Sequence, residues 1–248
     1  MLLGLLLESH MSKLLANRWL PGLALTAAFA IAARLLRGVS TSGALVGGFA
    51  ALVLYIGGSP GAFVVLLVVF SLTWVSTRIG YAHKRRLGTA ERREGRNAGQ
   101  VLANIGVAAA CAGLSGMRGG EMLLLGCAAA LAEAAADTVS SECGQVASAS
   151  ARLITSWERV PAGTDGGITL AGSLAGLAAA SAVAVTAGFV HLVPWRSVWV
   201  IATLGTAGML ADSLLGALLE RRKLLGNDAV NLLGTLFAAI LALVWARF

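Results

Sequence analysis

The chain contains eight apolar runs, each close to the length that crosses a lipid bilayer, and this pattern constrains its fold more than any other feature. The runs cover residues 19–36, 44–56, 62–79, 98–114, 122–136, 168–192, 198–219 and 229–245. A spanning helix needs about 20 predominantly apolar residues, so the short second run would also use residues 41–43. We therefore predict an all-α, polytopic integral membrane protein with about eight transmembrane helices, forming a single membrane domain over residues 1–248.

Composition supports a membrane protein and argues against several other classes. Only 12% of the residues are charged, about half of what a soluble domain carries. The net charge of +7 could indicate a nucleic-acid-binding protein, but no soluble segment is long enough to form such a domain, so we expect no nucleic-acid partner. The three cysteines lack CxxC spacing and the three histidines are scattered. Neither a disulfide framework nor a zinc site is therefore predicted.

The basic residues are distributed unequally between the two sides of the membrane. Fourteen of the nineteen lysines and arginines fall in loops on one side, and the positive-inside rule makes that side cytoplasmic. Most of the acidic residues fall there as well. We expect a multi-pass protein of the cell (inner) membrane whose active site faces the cytoplasm, with a basic cytoplasmic loop at 80–97 and an interfacial N-terminal segment at 1–18.

Acidic and hydroxyl side chains follow one another at helical spacing where the fifth run ends. They form one polar stripe on a helix face, and Glu142 follows directly; the stripe comprises Glu133, Asp137, Ser140, Ser141 and Gly144. An ionisable residue in a spanning segment is costly and indicates a functional site by default. Oxygen ligands suit Mg²⁺, which proteins typically hold with one or two carboxylates plus substrate phosphates. The alternative is a polar helix end that simply reaches water.

A second acidic group ends the seventh run. Asp212, Ser213, Gly216 and Glu220 lie on one helix face at the same side of the membrane. We interpret Asp212 as a second metal ligand and Glu220 as a solvated helix terminus. The alternative is that Asp212 forms a hydrogen bond to a neighbouring helix.

A polar stripe leads into the fourth run. Arg93, Asn97, Gln100 and Asn104 are four, three and four residues apart, which predicts one face of a helix that enters the membrane. Amides at membrane depth need partners, and a substrate phosphate or ribose could be one. Contact with a neighbouring helix is the alternative for Asn104. The basic loop around the stripe is typical of a solvated, lipid-facing segment, although Arg93 or Arg96 could clamp a phosphate.

Two further polar segments precede the sixth and eighth runs. Glycines ahead of a helix expose backbone N–H groups, which favour anions. Such a turn is weak evidence alone and stronger here because it lies between the two acidic helices. Asn227 could be only a helix N-cap. The residues of these segments are Gly163, Thr164, Asp165, Gly166 and Gly167, and then Asn227, Asp228 and Asn231.

Taken together, these segments resemble the phytyl-phosphate kinase and transmembrane protein 19-like family of integral membrane proteins. The resemblance covers most of the chain, and its motifs are specific only in combination. One departure is Cys143, where relatives tend to have an aliphatic residue. The matching stretches are RNAGQVLAN at 96–104, ADTVSSE at 136–142, GTDGGI at 163–168, ADSLLGA at 211–217 and NDAVN at 227–231.

The resemblance implies transfer of a phosphoryl group from a nucleoside triphosphate, with CTP expected, to an isoprenoid monophosphate. The chain is also distantly similar to CTP-dependent phytol and dolichol kinases and to CDP-diacylglycerol synthases. We expect Mg²⁺ as the cofactor, held by Asp137, Asp212 and Glu133, and catalytic roles for Asp137, Asp212 and Glu142. Nucleotide and acceptor binding is expected of Arg93, Arg96, Asn97, Gln100, Asn104, Ser141, Gly163, Thr164, Asp165, Gly166, Gly167, Ser213, Asn227, Asp228 and Asn231.

Two other functions use similar residues. A polyprenyl-phosphate transporter or flippase would need intramembrane polar groups, but it would place them near the midplane, whereas here they lie to one side. A CTP-dependent nucleotidyltransferase that makes a CDP-lipid would use similar groups and release pyrophosphate.

Overall fold

The computed structural model describes residues 2–118 and 120–247, with side chains from Arg18 onward. Helices account for most of this part of the chain. A short 3₁₀-helix, Trp195–Ser197, precedes the α-helix Val198–Leu215, and a π-helical turn, Gly216–Glu220, follows that helix. The α-helices are α1 (Leu2–Leu35), α2 (Thr41–Gly58), α3 (Pro60–Arg78), α4 (Tyr81–Leu87), α5 (Ala98–Arg118), α6 (Glu121–Ala147), α7 (Leu170–Phe189), α8 (Val198–Leu215) and α9 (Asn227–Trp245).

Seven helical segments of the described residues are long and apolar enough to cross a membrane. They overlap the second to eighth predicted runs, and the first predicted run lies within α1 except for Leu36. The prediction of an all-α polytopic membrane protein is thereby confirmed. The interfacial segment predicted at 1–18 falls almost entirely on residues whose side chains lie outside the described part of the chain, so that assignment stays a prediction.

Helix α6 is the central element of the bundle. It packs against α3, α5, α7, α8 and α9, and a continuous series of its alanines, including Ala128, Ala132 and Ala136, is fully buried. Small side chains let neighbouring backbones approach closely within a membrane. The same closeness requires glycine on α7, where a Cβ at Gly172 would lie 2.6 Å from the carbonyl oxygen of Ser140.

Helix α6 also continues past residue 136, where its apolar run ends, to Ala147. The predicted acidic segment therefore lies on the final turns of a long helix.

A small antiparallel sheet follows α6, which the prediction of helices alone did not include. Its strands are β1 (Ser150–Leu153), β2 (Arg159–Pro161) and β3 (Gly167–Ile168), in the order β2-β1-β3. Strands of two to four residues are too short to give a readable alternation of apolar and polar side chains. The sheet positions the predicted glycine segment, since residues 163–166 lie in the connection from β2 to β3 and Gly167 begins β3.

The linker between α1 and α2 is tied to the segment that precedes α5. The backbone N–H of Arg96 donates to the carbonyl oxygen of Gly38 at 3.1 Å, and the N–H of Ser40 donates to the carbonyl oxygen of Arg96 at 2.9 Å. Gly95 packs against this linker with a φ of +81°, a conformation that glycine adopts without a steric cost. The end of the predicted basic loop at 80–97 is therefore held against the linker that follows α1.

Candidate functional site

The two acidic groups predicted from the sequence each contribute to one polar cavity of about 120 Å³, which we call the acidic cavity. Helix α6 places Asp137 and helix α8 places Asp212 on its walls, and the turn between β2 and β3 closes one side. Its principal lining residues are Asp137, Ser140, Ser141, Gly144, Gln145, Gly163, Thr164, Asp165, Gly166, Gly167, Thr169, Asp212, Ser213, Gly216, Glu220 and Asn227.

The carboxylates beside this cavity are buried to different degrees. Glu133 and Asp212 expose only 1% and 9% of their surface, while Asp137 is half-buried. A Cβ placed on Gly234 of α9 would lie 2.5 Å from Oε1 of Glu133 and 3.3 Å from Oδ2 of Asp212. Glycine at this position of α9 therefore leaves room for both acidic side chains.

Two of these carboxylate oxygens have no partner. Glu133 Oε1 and Asp212 Oδ2 are buried and make no hydrogen bond with any described residue. A buried polar atom without a partner is costly, and a bound cation would relieve that cost.

The donor set fits a magnesium ion that is completed by substrate. Across residues 2–118 and 120–247 no group of three or more His, Cys, Asp or Glu side chains is arranged to hold a metal. The expected set of Asp137, Asp212 and Glu133 is therefore not a preformed three-ligand site, and Glu133 does not line the cavity. One or two carboxylates plus phosphate oxygens are nevertheless the usual Mg²⁺ ligands. Asp137 and Asp212 fit that role.

The glycine turn packs on the π-helical turn that follows Asp212. Gly166 has a φ of +74°, and a Cβ on Gly216 would lie 3.1 Å from the Gly166 nitrogen. π-Helical turns occur frequently at functional sites. The N–H groups of Asp165 and Gly166 donate no backbone hydrogen bond within the described residues. Unpaired backbone N–H groups in a turn are suited to anions.

The turn does not begin α7 directly, as the sequence suggested. Residues 167–168 form β3, and Thr169 then caps the helix by accepting a hydrogen bond of 3.0 Å from the Gly172 N–H. An anion bound by this segment would therefore contact the turn and not the helix terminus.

Glu142 does not line the acidic cavity, so the structure does not bring it together with the other two expected catalytic residues, Asp137 and Asp212. Its carboxylate forms an ion pair with Lys84 of α4, a lysine with 0% exposure. The Lys84 Nζ also donates to the carbonyl oxygens of Ser76 at 3.1 Å and Thr77 at 2.9 Å. The sequence placed Lys84 in a solvated basic loop, and no local signal distinguishes it from Arg85 and its other basic neighbours.

The predicted polar stripe does not form a continuous helix face. Helix α5 begins at Ala98, so Arg93 precedes it. Asn97 and Gln100 satisfy each other: the Asn97 N–H donates to Gln100 Oε1 at 2.9 Å, and the Gln100 N–H donates to Asn97 Oδ1 at 3.0 Å. This reciprocal pattern is a capping box, so the geometry supports a structural role for both amides.

Asn104 lies deeper on α5 and bonds locally. Its Nδ2 donates to the carbonyl oxygen of Gln100 at 2.8 Å, and the residue is 6% exposed.

The polar residues at the start of α9 do not all reach the acidic cavity. Asn227 lines the acidic cavity. Asp228 is exposed, and its Oδ2 would lie 2.7 Å from a Cβ on Gly99 at the start of α5. Asn231 lines neither cavity, so only Asn227 of this segment joins the site.

A second, larger cavity of about 370 Å³ lies on a neighbouring side of α6, between α1, α2, α3 and α5. We call it the amphipathic cavity, because its walls are mainly apolar and several arginines lie along it. Arg93, Arg96 and Asn104 of the predicted site residues belong here. Arg96 connects the two cavities, since its Nη2 donates to Thr138 Oγ1 at 3.2 Å and Thr138 adjoins Asp137 on α6.

Sequence reasoning missed several residues of the site. Glu220 lines the acidic cavity although its position suggested a solvated helix end. Gln145 and Thr169 belong to the cavity because α6 continues to Ala147 and because β3 turns the chain back.

The comparisons with known proteins identify the family. The model of the integral membrane protein family DUF92 matches residues 24–239, and the chain belongs to that family. An uncharacterized membrane protein of Methanocaldococcus jannaschii is 35% identical over 73% of this chain and 74% of its own length. The chloroplastic protein VTE6 of Arabidopsis thaliana is 30% identical over 77% of this chain and 60% of its own length.

A further relative is the protein PGR of Arabidopsis thaliana, 36% identical over 62% of this chain and 63% of its own length. No solved structure matches the chain. The resemblance inferred from the five motifs is confirmed at the level of the family.

Proposed function

We propose that this member of the DUF92 family is a membrane-embedded kinase that transfers a phosphoryl group from a nucleoside triphosphate, with CTP expected, to an isoprenoid monophosphate. The observation that carries the proposal is the convergence of Asp137, Asp212 and the Gly163–Gly167 turn on one cavity. These residues come from separate elements, and together they offer carboxylate ligands for a cation and backbone N–H groups for an anion in one space. The family resemblance supplies the substrate class.

The chemistry of phosphoryl transfer agrees with the residues that line the acidic cavity. This reaction asks a protein mainly for positioning and for stabilisation of charge. Asp137 and Asp212 would hold Mg²⁺, which neutralises charge on the nucleotide phosphates when bound. The N–H groups of Asp165 and Gly166 are available to phosphate oxygens, and Ser141 and Ser213 offer hydroxyl groups.

The acceptor proposed here needs no dedicated base. A phosphate monoester has a second pKa of about 6 and is largely dianionic at neutral pH. An oxygen of the acceptor phosphate attacks the γ-phosphorus, the bond from that phosphorus to the bridging oxygen breaks, and the nucleoside diphosphate leaves. The absence of histidine from the described lining of the acidic cavity agrees with such an acceptor.

Turnover of purified protein tests the proposal. The protein in detergent, with Mg²⁺, labelled CTP and geranylgeranyl monophosphate, should yield CDP and geranylgeranyl diphosphate. Release of pyrophosphate would instead support the nucleotidyltransferase. Absence of turnover with each of four nucleoside triphosphates would refute the kinase and favour the transporter.

Matched carboxylate variants then test the site. Asp137→Asn and Asp212→Asn should each lower kcat by about 100-fold or more, as loss of a charge-stabilising group does elsewhere. Glu158→Gln is the control, because Glu158 is exposed, lies outside both cavities and is not among the expected site residues. Equal loss in all three variants would contradict the assignment of the acidic cavity.

A further inference from the structure

We propose that the amphipathic cavity is the binding site for a lipid phosphate monoester with a single chain, whose phosphate contacts the arginines and whose first isoprenoid units lie against the apolar walls. Identifying this lipid as the phosphoryl acceptor rests on the proposed function. Binding itself does not, because it requires neither a nucleotide nor the acidic cavity.

The apolar part of the cavity is a built space between packed helices. Phe29, Leu66, Phe70 and Ile105 contribute its walls. Phe29 is held by edge-to-face contacts with Phe63 and Phe70, at centroid distances of 5.7 Å and 5.2 Å. Aromatic contacts of this kind fix side chains in place, so these walls are preformed.

Glycines of α2 keep this space open. Gly47 and Gly48 line the cavity, and a Cβ on Gly47 would meet only Val101 Cγ1, at an ordinary 3.5 Å. The backbone therefore tolerates a side chain at position 47, and a larger side chain would occupy the space now available to a ligand.

The charged part of the cavity favours an anion. Five arginines line it, against Glu91 as its one carboxylate within the described residues; the five are Arg37, Arg78, Arg92, Arg93 and Arg96. Arg78 and Arg96 already have partners: Arg78 donates to the carbonyl oxygen of Leu36 and lies 4.7 Å from the ring centroid of Trp74, and Arg96 donates to Thr138.

The other three arginines, Arg37, Arg92 and Arg93, are exposed and make no side-chain hydrogen bond or ion pair with described residues. Their guanidinium groups present forked donors that match phosphate oxygens. An apolar cavity with an excess of unpaired arginines suits an amphiphile that carries a negatively charged headgroup.

The size of the cavity favours one chain over two. Ligand pockets measure roughly 300–1,000 Å³, and this cavity of about 370 Å³ is near the lower end of that range. It accommodates a headgroup and the beginning of one chain, and the remainder of the chain would extend into the bilayer.

Arg96 would place the phosphate of the bound lipid close to the acidic cavity. Ala134 lines the amphipathic cavity and Asp137 lines the acidic cavity, less than one turn apart on α6. A phosphate bound near Arg96 would therefore lie beside the carboxylates that we assign to the nucleotide.

Equilibrium binding tests the proposal without any catalytic step. Protein in nanodiscs of phosphatidylcholine is titrated with labelled geranylgeranyl monophosphate, with no nucleotide and no Mg²⁺. Gly47→Leu should weaken binding at least tenfold. Its control, Leu45→Phe, enlarges a side chain on the same helix that is 74% exposed and lies outside the cavity, and it should bind normally.

Arginine variants and competitors test headgroup recognition. Arg93→Gln should weaken binding about tenfold, which corresponds to about 1.4 kcal/mol, whereas Arg86→Gln, an exposed arginine of α4 outside the cavity, should not. Geranylgeraniol and inorganic phosphate should compete poorly, since the first lacks the phosphate and the second lacks the isoprenoid chain. Equal competition by phosphatidic acid would overturn the single-chain assignment.

The outcomes distinguish the proposed lipid site from the proposed kinase activity. Normal binding by Gly47→Leu and Arg93→Gln, or loss of binding in Asp137→Asn, would place the lipid elsewhere and refute the inference. Binding that follows the amphipathic cavity in a protein without turnover would support the lipid site and refute the kinase.

Discussion

The buried ion pair between Lys84 and Glu142 joins α4, in the predicted basic loop at 80–97, to α6. Its contribution to stability can be tested quantitatively. Lys84→Met removes the cation and leaves the Glu142 carboxylate, whose side chain is only 11% exposed, without its partner. The carbonyl oxygens of Ser76 and Thr77 also lose a donor. Breaking a buried pair by removing one partner costs about 3–5 kcal/mol.

This cost should appear as a fall in thermal stability. For a chain of this length, 1 kcal/mol shifts Tm by about 2–4 °C. Lys84→Met should therefore lower Tm by about 6–20 °C, measured in detergent by the loss of the monodisperse peak in size-exclusion chromatography after heating. Arg85→Met is the control, because Arg85 is the exposed neighbour of Lys84 on α4.

The double variant Lys84→Met with Glu142→Leu separates an ion pair from a catalytic carboxylate. Replacing both charges by apolar groups is often neutral, so the double variant should recover most of the lost stability. It should also retain turnover, because Glu142 does not line the acidic cavity. A double variant as unstable as Lys84→Met, or one that is stable and inactive, would refute the structural interpretation of the pair.

Three further predictions concern the turn, the cap and the orientation. Gly166→Ala should raise the KM for the nucleotide, because a φ of +74° disfavours a side chain and a Cβ here would lie 2.6 Å from the Ala217 nitrogen, so that the turn must shift; unchanged nucleotide kinetics in a folded variant would contradict the role of the turn. Asn97→Ala should cost about 1 kcal/mol of stability as a lost cap with KM unchanged, and a KM effect without a change in Tm would restore Asn97 as a binding residue. Arg152→Cys should react with a membrane-impermeant maleimide only from the cytoplasmic side in oriented vesicles, and labelling from the other side would reverse the assigned topology.

Apolar run length was sufficient to predict the membrane class, since a bilayer admits few alternatives to spanning helices. The same information did not give the end of α6 or the strands that follow it. Polar residues continue a helix as readily as they end it once the chain leaves the hydrocarbon, so the boundary at residue 136 marked the end of the apolar run and not of the helix.

The candidate site was predictable where its residues share a helix face and a side of the membrane. Asp137 and Asp212 were expected together on that ground, and they line one cavity. Asn97 and Gln100 were expected on one helix face and form a capping box, because a spacing of three residues is shared by both arrangements. The pairing of Lys84 with Glu142 joins residues 58 positions apart, and no local pattern encodes a contact at that distance.

The arrangement of α6 explains how one helix can serve two ligands. Each residue turns the helix by about 100°, so Ala134, Thr138 and Glu142 form one face and Asp137 and Ser141 begin the next. The first face meets the amphipathic cavity, Arg96 and Lys84, while the second meets the acidic cavity. Because these faces are adjacent and not opposite, ligands in the two cavities could approach each other around the edge of a single helix. Transfer between a lipid phosphate and a nucleotide requires that proximity, whereas a transporter has no need for it.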